Sequence, residues 1–138
     1  MKTFTILPAV AVAGALAAST AAAPPTQHHV TIRHQVQHCH AWSVDGGPFA
    51  AHVDVSLRTG GALTLTNNDV MPHRVIERSG PHAVFHGSAS LSHMGASTKV
   101  TFPRAGVYRF TTKAGEDYMK GVKTVGEDNV LTMKVVVH

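Results

Sequence analysis

The run Gly61-Ala62-Leu63-Thr64-Leu65-Thr66-Asn67-Asn68-Asp69-Val70-Met71-Pro72-His73-Arg74-Val75 decides the fold class. Leu63 and Leu65 alternate with threonines, the period of two produced when successive side chains leave a β-strand on opposite faces. Asn67, Asn68 and Asp69 then supply short polar side chains that bond their own backbone and turn the chain. Beyond Pro72, the residues from His73 to Glu77, with Val75 and Ile76, read as a second short strand.

The same period extends outward. Val30, Ile32, His34, Val36, His38, His40, Trp42 and Val44 alternate with mostly polar odd positions until Gly46, Gly47 and Pro48 break the chain. A regular strand there puts Cys39 on the opposite face from His38 and His40. Val53, Val55 and Leu57 make the next run, closed by Thr59, Gly60 and Gly61. Downstream, Val100 and Phe102, residues 107–112 and residues 130–137 read as strands, with a turn over 103–106 and a polar loop over 113–129. Residues 79–97, rich in Gly, Ser, Ala and His, show no sustained period and read as loop with one short helical turn. Short strands between turn residues, without a helical pattern of useful length, specify an all-β fold, a Greek-key antiparallel β-sandwich. Gly-Glu-Asp occurs at 115–117 and again at 126–128, too short an echo for an architectural repeat.

The 138 residues suffice for one domain of ordinary size. Hydrophobic residues at 43% and charged ones at 14% describe a chain that buries a core, not a disordered one. The 12 Lys and Arg against 8 Asp and Glu are scattered singly, so the charge of +4 does not imply nucleic acid. One lysine, an apolar run from Phe4 to Ala18 and small residues up to Ala23 have the order of a secretory signal peptide over 1–23. Cleavage after Ala23 would leave Pro24 first, so Ala21 or Ala22 is favoured as the last residue removed. Residues 24–28 read as a linker and 29–138 as the domain. The apolar run is too short and small-residued for a membrane span, so the mature chain is expected to be secreted or extracytoplasmic. In that oxidising setting the single Cys39 has no internal disulfide partner, and is buried, paired between chains or bound to metal.

The 61–75 run resembles the segment of plastocyanin-like cupredoxins that ends in their first histidine ligand. Phe102-Pro103-Arg104-Ala105-Gly106-Val107-Tyr108-Arg109-Phe110 resembles the family's turn and strand that lead into the ligand loop. The resemblance implies a cupredoxin-like sandwich with a copper site in which His73 is the first ligand. It also implies a Cys near Thr112 and a second His near 116–117, where this chain has Thr112, Glu116 and Asp117; only Met119 fits. A blue-copper centre needs a thiolate with two histidines and a weak axial ligand, and cannot be assembled from those positions. In nitrosocyanins, a related group, a carboxylate comes from an early strand; this chain resembles the reverse exchange.

A candidate ligand set follows, with Cys39 and His73 as strong ligands, Glu116 or Asp117 as a hard oxygen ligand, Met119 as a weak one and His40 in reserve. Copper is the first metal expected and zinc the second. The other described roles are plainer. Cys39 could be an ordinary buried thiol, Glu116 and Asp117 turn residues, and Met71 and Met119 packing residues. Trp42 is expected to pack between the sheets with one partner for its indole N–H. His28, His29, His34, His52, His82 and His138 have no ligand-like spacing, while His86, His93 and Met94 could form a second, weaker copper site. No nucleophile elbow, phosphate loop, HExxH or CxxC is present, so the chain is not expected to be an enzyme. The expectation is a copper protein that exchanges electrons or copper with a protein partner; the alternative is a metal-free module that binds a protein or small ligand.

Overall fold

The computed structural model describes residue 23 and residues 26–34, 40–114 and 131–138. The signal segment and its cleavage site, apart from Ala23, lie outside the described residues. Among the described residues ten strands follow in order: β1 (Gln27–His34), β2 (His40–Val44), β3 (His52–Leu57), β4 (Ala62–Asn67), β5 (His73–Ser79), β6 (Val84–His86), β7 (Ser90–Leu91), β8 (Ser97–Thr101), β9 (Gly106–Ala114) and β10 (Thr132–Val137). They form two five-stranded sheets, ordered β2-β1-β4-β8-β6 and β3-β10-β9-β5-β7. No helix occurs among the described residues. β1 opens at Gln27, inside the stretch read as linker.

The sandwich expected from the alternation is present, and both of its sheets are mixed. β1 runs parallel to β4 and β3 parallel to β10, while the remaining pairs are antiparallel. Parallel neighbours cannot be joined by a tight turn. The chain therefore crosses from one sheet to the other after β2, and it changes sheet at every connection from there to β9. Residues 79–97 hold β6 and β7 instead of a helical turn. β6 pairs with β8 and β7 with β5, and strands of three and two residues are too short to print a period of two.

Inward positions of both sheets meet in one core. Val30 and Ile32 of β1, Leu63 and Leu65 of β4, Val100 of β8, and Met133, Val135 and Val137 of β10 are all buried there. Each fully buried side chain of this kind contributes roughly 1.5–3 kcal/mol. Trp42 is fully buried, as its size requires, but among the described residues its indole N–H meets no acceptor, contrary to the partner expected for it. Phe102 packs edge-on against Tyr108 at 4.9 Å and Phe110 at 6.0 Å between centroids, a favoured aromatic geometry.

The 103–106 turn is pinned by the Tyr108 hydroxyl, which donates to the Arg104 carbonyl at 2.8 Å. The turn packs on the exit of β5 through two glycines. Gly80 sits at φ +137°, and a Cβ there would lie 2.9 Å from the Tyr108 ring; one on Gly106, at φ +144°, would lie 2.8 Å from Pro81 Cγ. Both positions thus demand glycine for conformation and for space. Gly80→Ala is expected to lower unfolding stability by about 1–3 kcal/mol through backbone strain and displacement of Tyr108. Denaturant unfolding should show a lower midpoint with an unchanged slope.

Candidate metal centre

β4 ends at Asn67, whose fully buried side chain organises the loop after it. Its Nδ2 donates to the carbonyls of Met71 at 2.8 Å and Leu91 at 3.0 Å, and its Oδ1 accepts the Asp69 N–H at 2.9 Å. Asp69 repeats the device, its Oδ1 accepting the Met71 N–H at 3.0 Å. Two successive turns of this kind fold residues 67–71 back on themselves. The Asn68 N–H, bonded to the Ile32 carbonyl at 2.8 Å, ties the loop to the end of β1.

This folding turns the second oxygen of Asp69 inward. Oδ2 accepts from His40 Nδ1–H at 2.7 Å and from His73 Nε2–H at 3.1 Å. His40 opens β2 and His73 opens β5, so the carboxylate bridges the two sheets. Asp69, His40 and His73 are each at most 1% exposed. The two rings meet edge-on with centroids 4.8 Å apart. His34, the cross-strand partner of His40, adds an exposed third ring 5.8 Å from it. One ligand atom from each of His34, His40 and Asp69 lies within 4.8 Å of the others, a spacing that could hold a metal ion.

Protonation follows from the geometry. A carboxylate only accepts, so His40 is an Nδ1–H ring and His73 an Nε2–H ring. In the neutral forms, the lone pairs are then on His40 Nε2 and His73 Nδ1, the nitrogens with which these rings could bind a metal. Burial by itself would raise the Asp69 pKa. The hydrogen bonds from the Met71 N–H, His40 and His73, together with the charge interaction with His40, outweigh it and hold the carboxyl below its ordinary value of 3.8. With both rings neutral the cluster carries one buried negative charge. Three N–H donors, from Met71, His40 and His73, offset that charge, and a bound cation would neutralise it.

Of the residues expected to form a site, the structure brings together His73 and His40. Cys39, Glu116, Asp117 and Met119 lie outside the described residues; Cys39 directly precedes His40 in sequence, and β9 ends at Ala114, paired with His73. His34 and Asp69 were not anticipated. Reading 30–44 as one alternation hid a hairpin in which His34 and His40 face each other, and Asp69 passed for an ordinary loop residue. Its i, i+4 spacing to His73 and the Asn67/Asp69 turn pair were the available signals. His86 bonds the Thr101 hydroxyl and His93 approaches Ser92, so the side-chain bonds of these two go to separate partners. His28 and Asp45 form another His–Asp pair, at 2.5 Å, but it gathers no third ligand among the described residues.

The chain matches no protein-family model and no curated protein. Its structural neighbours include cupredoxins. A purple cupredoxin from Nitrosopumilus maritimus is 15% identical, with a TM-score of 0.47, over 80% of this chain and 98% of that one. A Cu(I) amicyanin mutant is 19% identical, with a TM-score of 0.41, over 78% of this chain and 80% of that one. A cysteine protease inhibitor from Entamoeba histolytica is 8% identical, with a TM-score of 0.44, over 81% and 97%. These are likenesses of backbone path.

Replacing Asp69 tests the clamp. Because its folded pKa is depressed, Asp69 stabilises the fold fully above the ordinary carboxylate value, and this contribution is lost as pH falls through the lower native value. Asp69→Asn is expected to destabilise by about 3 kcal/mol at pH 7. In denaturant unfolding at descending pH, the gap between the two proteins should close under strongly acidic conditions.

Proposed function

We propose that this chain is an exported copper-binding β-sandwich protein that passes single electrons, or holds copper, outside the cytoplasmic membrane. The supporting observation is the gathering of His34, His40 and His73 around the buried Asp69 carboxylate at one end of the sandwich. Imidazole nitrogen is a preferred copper donor, and the buried carboxylate supplies charge that a cation would balance. Bound copper supplies a one-electron couple. The chain's own residues do the positioning: Asp69 fixes the tautomers of two rings, and their place at the starts of β2 and β5 limits movement between oxidation states. His34, exposed at the rim, gives the centre its access to solvent or to a protein partner.

Cys39, adjacent to His40, is proposed as a thiolate ligand, Glu116 or Asp117 as an oxygen ligand and Met119 as a weak one. The order of charge, apolar run and small residues at the N-terminus supports export. Among the described residues, no helix is long and apolar enough to cross a membrane. The role is that of a carrier, without substrate turnover. A metal-free binding module is the second reading, favoured by one observation: Asp69 already has hydrogen-bond donors on both oxygens.

Copper loading distinguishes the two. The mature chain, incubated with Cu(II) against a competing chelator, is expected to retain one copper by elemental analysis and to show nitrogen coupling in electron paramagnetic resonance. His40→Ala with His73→Ala should abolish retention, whereas His86→Ala with His93→Ala should leave it intact; equal retention in both pairs moves the copper away from His40 and His73, and no retention by the unsubstituted chain favours the metal-free module. Asp69→Asn should weaken copper binding by about 10–100-fold. A Cys39→Ala protein that keeps the whole absorption spectrum removes the thiolate from the ligand set. Zinc is the competing metal, and preferential zinc retention would replace copper in the assignment.

A further inference from the structure

A second feature lies away from the histidine cluster. The outward face of the sheet formed by β3, β10, β9, β5 and β7 holds a cleft of about 370 Å³ whose lining includes Arg78, Arg109, Lys134, Asp54, Thr111 and Thr132. Cross-strand register sets Asp54 beside Lys134 and Lys134 beside Arg109. Lys134 Nζ and Asp54 Oδ1 are 3.5 Å apart, which pairs the single carboxylate of the cleft with one cation. Arg78 and Arg109 are left without an ion pair among the described residues.

The backbone explains how two unpaired arginines share one cleft. Pairing between β5 and β9 slips between Glu77 and Ser79, so Arg78 is the extra residue of a bulge and its neighbour Ser79 stands opposite Arg109. Bulges re-aim side chains, and here the result is two guanidinium groups on one lining. Neighbouring like charges on a sheet destabilise it. Two planar five-donor groups on the lining of a cleft match an oxyanion, which would relieve that repulsion and accept paired hydrogen bonds. The volume falls near the lower end of small-molecule pockets, roughly 300–1,000 Å³. We propose that this cleft is an anion site, separate from the metal centre, that holds a phosphate or carboxylate group between Arg78 and Arg109.

Titration of the nitrogen-15-labelled mature chain with inorganic phosphate, at ionic strength held constant with chloride, tests the site. Saturable amide shifts are expected around Arg78, Arg109 and Lys134. Arg78→Gln and Arg109→Gln should each weaken phosphate binding by about tenfold, the loss expected for a charge-assisted hydrogen bond. Lys99→Gln, an exposed cation on β8 of the other sheet, removes the same net charge and should leave affinity unchanged. Unchanged amide spectra away from the cleft establish that the variants are folded. A parallel titration with succinate identifies the ligand chemistry: tighter phosphate binding assigns a phosphate group, tighter succinate binding a carboxylate, and either supports the site. Linear shifts spread over the basic surface, or equal weakening by Lys99→Gln, overturn it.

Discussion

A carboxylate placed in a protein interior must be compensated, and the end of this sandwich is organised around that requirement at Asp69. The cost of stripping water from an isolated charge is several kcal/mol even after relaxation. Here it is offset by the Met71 N–H and by two imidazole N–H groups, one from the first residue of β2 and one from the first residue of β5. The same oxygen that accepts from His40 also accepts from His73, so neither ring can rotate without leaving the carboxylate short of a donor. Side-chain orientation, tautomer and the approach of the two sheets are thereby settled by one interaction.

That interaction depends on the topology that delivers it. β1 and β4 are parallel neighbours, with Ile32 in register with Asn67, so both strands run toward the same end of the sheet. At that end the hairpin returns through His40 and the loop after β4 folds over it, held by the Asn68 bond to Ile32. An antiparallel β1–β4 pair would have sent the two segments to opposite ends. Asn67 adds the second condition: fully buried, it spends both amide protons on the Met71 and Leu91 carbonyls and so couples the loop to β7 in the facing sheet. The polar cluster is thus built on strand termini and two side-chain turns, with no long loop among its described members.

Much of this was legible in the chain, for reasons that differ by element. β3, β4, β9 and β10 each bury alternate apolar residues, and that period survives in the sequence whatever the partner strand. β6 and β7 are held by pairing to β8 and β5, and such short pieces carry no period of their own. The parallel pairing was invisible because alternation specifies which face is buried and says nothing of which strand lies alongside. His73 was legible through the resemblance of residues 61–75 to the cupredoxin segment that ends in a histidine ligand. His34 was not, since its nearness to His40 is a cross-strand relation between β1 and β2. Asp69 was hidden for the opposite reason: its neighbours mark a surface turn, and only the Asn67 and Asp69 bonds to the backbone turn the carboxylate inward.

The histidine cluster and the arginine cleft share strand β5, which raises the question of whether one could influence the other. β5 carries both His73, buried at its start, and Arg78, exposed at its bulge. At ~3.3 Å per residue, the intervening stretch of strand spans about 16 Å. The screening length at physiological ionic strength is about 8 Å, so an anion on the exposed face would be heavily screened before its charge reached the buried histidines. His73 and Arg78 also project from opposite faces of the sheet, which lengthens the path. An anion held by Arg78 and Arg109 therefore has little electrostatic leverage over the occupant of the histidine cluster. β5 is the one strand that carries members of both cluster and cleft, so any coupling between them runs through the pairing of that strand with β9 and not through charge.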